Sequence, residues 1–157
     1  MTTKLTVALA LGLTMGVSGT ALAQGRSHFG PQLGYNFDYE ALVIGAQFSA
    51  PIGQHLEFYP SFNYFVVDGG SAFALNADLK YRLPMEGANW LYLGGGLNVT
   101  RVESGGFDDT NAGLNLILGV ESRKGNVHPF GEFRFTAGDG SSVQLVGGLN
   151  FTLGGHN

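Results

Sequence analysis

The stretch Val143-Gln144-Leu145-Val146-Gly147-Gly148-Leu149-Asn150-Phe151-Thr152-Leu153 decides the fold. Its odd positions read Val, Leu, Gly, Leu, Phe, Leu, and its even positions read Gln, Val, Gly, Asn, Thr. A strand turns successive side chains to opposite faces, so this segment has one apolar face and one small or polar face. The same alternation recurs seven more times, taken at every second residue. The rows run from Phe29 to Phe37, Leu42 to Ala50, Leu56 to Val66, Phe73 to Leu83, Leu91 to Val99, Ala112 to Val120 and Val127 to Phe135. No charge, amide or aliphatic hydroxyl falls on any of these rows.

Between the rows lie short gaps rich in Gly, Pro, Asn and Asp. Examples are Asp68-Gly69-Gly70-Ser71, Ser122-Arg123-Lys124-Gly125-Asn126 and Gly138-Asp139-Gly140-Ser141. These residues supply positive φ, fixed φ or local side-chain bonds, as turns require. Short connections make consecutive strands pair antiparallel. The result is a meander of eight strands.

A meander with one oily face closes in one of two ways. The oily face points inward around a ligand, as in a secreted soluble lipocalin-like barrel, or outward into lipid. The polar face decides between them. It is glycine-rich and carries few charges of both signs, which suits a cramped lumen rather than a solvated exterior. Only 13% of all residues are charged, against about 25% in an ordinary soluble domain. A Lys or Arg facing lipid near the bilayer midplane costs about 2–4 kcal/mol, which accounts for the charge-free rows. Closure also gives every backbone group a partner, which hydrocarbon demands. The chain therefore predicts an all-β fold: an eight-stranded antiparallel up-and-down transmembrane β-barrel.

Residues 1–23 read as a cleaved secretory signal peptide. Lys4 supplies the positive start, Leu5 to Val17 the apolar core, and Ala21-Leu22-Ala23 the cleavage signal. Residues 24–157 then form a single barrel domain with seven basic and twelve acidic side chains. The absence of cysteine excludes disulfides and thiolate metal sites. No basic stripe marks a nucleic-acid partner. The four histidines lack metal-ligand spacing, and no cofactor is expected.

An even strand number places both termini in the periplasm. The outer loops are then 38–40, 68–71, 102–109 and 138–142. Their acidic residues are read as solvated, with divalent cations beside lipopolysaccharide phosphates as the alternative. Aromatic belts are expected at both rims. Phe48, Phe58, Tyr81, Trp90 and Phe151 mark the periplasmic one, and Tyr35, Phe37, Tyr64, Phe73 and Phe135 the outer one. Pro31, Pro60 and Pro129 lie within strands, where each removes a ladder donor. Bulges or locally broken pairing are expected there, with register open by a residue or two.

Gly148-Leu149-Asn150-Phe151-Thr152-Leu153 resembles the C-terminal signal read by the outer-membrane assembly machinery, with Gly148, Phe151 and Leu153 in the key positions. The final hairpin, Phe130-Gly131-Glu132-Phe133-Arg134-Phe135 followed by Gly138-Asp139-Gly140-Ser141-Ser142, resembles that of small bacterial outer-membrane β-barrel proteins of the OmpA/OmpX type. The chain departs from that pattern by running on through Gly154-Gly155-His156-Asn157, and by carrying Val146 where the signal has a polar residue. The resemblance implies an outer-membrane location, contact with outer-membrane lipid and lipopolysaccharide, and a monomer.

The inward charges are Glu57, Asp78, Lys80, Arg82, Glu121, Glu132 and Arg134. Pairing of the third and fourth strands puts Glu57 opposite Arg82 or Lys80, and Glu121 falls near His128. Buried charges need partners, since each costs several kcal/mol alone. They are read as a salt-bridge and hydrogen-bond plug, with a narrow gated ion channel as the competing reading. A lipid A-modifying enzyme would need a Ser–His–acid set on the outward face near the outer rim. The outward rows hold none, so no enzymatic activity is expected. The functional expectation is a non-enzymatic barrel serving envelope integrity or surface interaction.

Overall fold

A computed structural model describes residues 25–154. The signal-peptide reading of residues 1–23 lies outside them. Eight strands follow in order: β1 (His28–Asn36), β2 (Ala41–Pro51), β3 (Leu56–Val66), β4 (Gly70–Pro84), β5 (Asn89–Ser104), β6 (Phe107–Ser122), β7 (Val127–Gly138) and β8 (Ser142–Thr152). Each pairs antiparallel with its sequence neighbours, and β8 returns to β1 to close the barrel. This is the architecture that alternation and short turns predict.

Register fixes the barrel's geometry. Partners followed from Pro51 run through Glu57, Lys80, Gly94, Ile117, Arg134, Gln144 and Asn36, and return to β2 at Ala41, a shear of ten residues. Such a stagger tilts every strand against the barrel axis. Eight strands leave an interior that side chains alone can fill.

The two faces have opposite chemistry. Leu33, Leu97, Leu114 and Leu116 lie about 60% exposed on the outside, while Glu57, Asp78, Lys80, Glu132 and Arg134 are buried within. In a water-soluble fold the two sets would be exchanged.

The three prolines break pairing without shifting it. Pro31 pairs normally with Ala46 of β2, but the β1–β8 ladder skips from Phe29↔Phe151 to Gln32↔Gly148. Pro60 pairs with Ala77 of β4, while the β2–β3 ladder skips from Gln47↔Ser61 to Ala50↔Phe58. Pro129 pairs with Leu149, and the β6–β7 ladder stops at Glu121↔Phe130. Each proline thus interrupts one of its two ladders, as loss of a single N–H dictates. Locally broken pairing is found at all three sites, with constant register and no extra residue inserted.

One outer loop is corrected. Residues 102–109 do not form a loop: β5 continues to Ser104, β6 begins at Phe107, and Gly105-Gly106 alone makes the turn. Both glycines have positive φ, 58° and 87°, as a two-residue hairpin turn requires. The apolar alternation ends near Val99 because the hairpin rises past the oily zone. There Arg101 pairs with Glu103 at 2.8 Å and Asp108 at 2.7 Å on an exposed surface, where ion pairs contribute little. At the other rim, Trp90 shares the inward phase of Tyr92. It is half-buried, with the Arg82 guanidinium 5.1 Å from its ring.

Candidate functional site

The lumen holds the chain's only concentrated chemistry among the described residues, arranged in four levels between the end opposite the termini and the end that carries them.

The first level is apolar. Ala41, Val43, Phe65, Ala72 and Ala74 form a small buried cluster, flanked by Val67 and Val102. Tyr39 covers it edge-on to Phe65, with ring centroids 5.5 Å apart. The β1–β2 loop holds Tyr39 there. The Asn36 side-chain oxygen accepts the N–H groups of Asp38 and Tyr39 at 3.1 and 3.0 Å, and Asp38 accepts the Val143 N–H at 2.6 Å. Burial, and then the Asp38 carboxylate, raises the Tyr39 phenol above its ordinary pKa.

The second level is built from amides. Asn98 donates to Asn76 at 2.7 Å, and Asn76 donates to Ser61 at 3.1 Å. Asn115 donates to both Asn76 and Asp78, and accepts from Thr136. Gln32 donates to Asn63 on the other wall. A cavity of about 20 Å³ remains beside Asn63, Asn76, Asn98, Thr136 and Gln144, room for about one water.

The third level is ionic. Arg134 bridges Asp78 at 2.8 Å and Glu132 at 2.9 Å, and Lys80 meets Glu132 at 2.6 Å. Tyr92 donates its hydroxyl to the same Glu132 oxygen at 2.7 Å. The fourth level closes the end that carries the termini. Glu57 pairs with Arg82 and Arg123, both at 3.0 Å, and Arg123 also pairs with Glu121. Asn150 donates to Glu121 at 3.0 Å, and His128 stands 3.8 Å from it.

All seven inward charges read from the sequence thus lie in the lumen, in two clusters. Glu57 sits opposite Lys80 in register but pairs instead with Arg82 and Arg123. Lys80 reaches instead to Glu132, which also takes Arg134 and the Tyr92 hydroxyl. Of the three C-terminal signal residues, Gly148 lies in β8 under the Phe130 ring, while Phe151 and Leu153 face outward.

Sequence reading missed Arg123. It sits in a turn, and its long side chain reaches back into the lumen. For Arg123, burial opposes the charged form, but the Glu121 and Glu57 carboxylates outweigh it and raise the pKa above the ordinary guanidinium value. A signal was present. The seven expected charges comprise four carboxylates and three cations, and a dry interior needs a fourth cation. Tyr92 and Phe130, both on the inward phase, were also missed.

No protein-family model matches the chain, and no curated protein matches it. Solved structures do. The N-terminal β-barrel domain of Pseudomonas aeruginosa OprF superposes with a TM-score of 0.73 at 14% identity, covering 83% of this chain and 98% of that one. Neisserial surface protein A (NspA) gives 0.60 at 16% identity, covering 82% and 95%. A designed transmembrane β-barrel gives 0.62 at 12% identity, covering 83% and 98%. The chain therefore has the fold of the small eight-stranded outer-membrane barrels.

Proposed function

We propose that this chain is an integral outer-membrane barrel whose lumen is closed by its own side chains, and that it acts through its place in the envelope or through its outer loops. One observation carries the reading: all eight lumen charges are paired inside while the largest apolar side chains face out. Such a surface needs lipid as its solvent. Insertion with the termini in the periplasm puts the Tyr39 cap and the β5–β6 hairpin outside the cell.

Closure is tested in planar bilayers. The purified protein is expected to give no stable single-channel steps; reproducible steps would overturn the plug in favour of a channel. Location is tested by density fractionation of cell envelopes. The chain is expected in the outer-membrane fraction, with gel mobility that changes on boiling. Recovery of a soluble periplasmic form without detergent would sink the membrane reading.

An enzymatic reading finds little support. The one His–Ser hydrogen bond among the described residues, His28 to Ser49 at 3.0 Å, lies inside the periplasmic mouth. Ser49 is buried there, so it offers no nucleophile to a lipid acyl chain. The fold itself selects no partner, since a designed barrel shares it.

A further inference from the structure

The most unusual group in the lumen is the Lys80 ammonium. It lies 4.0 Å from the centroid of the Tyr59 ring, 4.7 Å from that of Tyr92 and 5.9 Å from that of Phe130. The fourth side is the Glu132 carboxylate, 2.6 Å away. Aromatic faces attract a cation within about 6 Å of their centroids, and more strongly when water is absent. Lys80 is 1% exposed.

The enclosure is constructed by its neighbours. Tyr92 is paired with Gly119 across β5 and β6, and a Cβ on Gly119 would stand 2.3 Å from the Tyr92 ring. Phe130 is paired with Gly148 across β7 and β8, and a Cβ there would stand 2.8 Å from the Phe130 ring. Two of the three rings therefore lie flat against the wall only because glycine is beneath them. Tyr92 is further fixed by its hydrogen bond to Glu132.

We infer that Tyr59, Tyr92, Phe130 and Glu132 form a binding site for a primary alkylammonium cation, of which Lys80 is the tethered occupant. The rings supply negative faces, and the carboxylate supplies charge and a hydrogen-bond acceptor. In the native barrel the site is full, so the chain carries its own cation where a free one would otherwise be held. The inference goes beyond closure of the lumen and does not depend on whether the lumen conducts.

Two measurements test it. The sequence has three lysines, Lys4, Lys80 and Lys124; protein folded in detergent from residue 24 onward, without the expected signal peptide, keeps the last two, so selective lysine labelling gives two sets of signals. The Lys80 ε-methylene protons are expected well upfield of those of Lys124, and to move back in Tyr92→Leu. Equal shifts for the two lysines would overturn the cage in the native chain. The second measurement empties the site. Lys80→Ala removes a fragment equivalent to propylammonium. Propylammonium chloride is expected to bind this variant saturably and raise its unfolding midpoint above that in equimolar sodium chloride. Adding Glu132→Gln should weaken that binding about tenfold or more, the loss expected for a charge-assisted hydrogen bond. Absence of saturable binding, or equal binding to the double variant, counts against the site. If Lys80→Ala does not fold, the lysine signals of the native chain decide the matter alone.

Discussion

Glu132→Leu is expected to lower barrel stability by about 3–5 kcal/mol, the penalty for leaving a buried ion without its partner. Glu132 is the single carboxylate on Lys80, one of two on Arg134, and the acceptor for Tyr92. After the change Arg134 still has Asp78, but the Lys80 ammonium has only ring faces. Urea unfolding of the protein folded in lipid vesicles, followed by tryptophan fluorescence at Trp90, reads the loss directly. The double variant Lys80→Met, Glu132→Leu is expected to recover most of it, because an apolar pair of similar volume removes both desolvation penalties. A single variant within 1 kcal/mol of the native protein would mean that water reaches Lys80, and would contradict a closed lumen.

Leu116→Arg is expected to destabilise the barrel by about 2–4 kcal/mol in a bilayer. Leu116 lies mid-strand in β6, points outward and is 62% exposed. For a water-soluble barrel, the same change on an exposed leucine falls within about 0.5 kcal/mol of neutral. The substitution therefore distinguishes lipid from water as the exterior solvent, which the fold alone does not. Vesicle-folded protein compared by urea midpoint gives the answer; an unchanged midpoint would argue that this face does not meet lipid.

Much of this architecture was legible in the sequence because alternation is a local signal. Leu114, Leu116 and Leu118 declare a face without reference to any other strand. Where the alternation lapses, the strands ran further than the sequence suggested. Glu103 and Asp108 sit in strands, but above the oily zone both faces of a hairpin meet water and polarity no longer tracks the pleat. The lumen was legible in membership but less so in pairing. Glu57 and Lys80 are direct cross-strand neighbours, yet their charges go elsewhere, because long side chains in a narrow tube reach across it as readily as along the wall. Arg123 shows the same limit from a turn. Tyr92 and Phe130 are large rings on the small inward face, and only the cross-strand pairing with Gly119 and Gly148 explains the room they occupy. No single-strand pattern encodes that match.

Pro31 has a consequence for how the tube is put together. Seven of the eight joints are hairpins and close over short turns. The eighth, between β1 and β8, joins the two ends of the domain, so it has the largest chain entropy to overcome. It is also the shortest ladder, and Pro31 removes a donor from it. The barrel is thus sealed along its thinnest seam, and hairpin-by-hairpin growth meets that seam last. Lateral opening, whether during insertion or under stress, has its easiest route there, between Phe29 and Gln32 on one lip and Gly148 and Phe151 on the other.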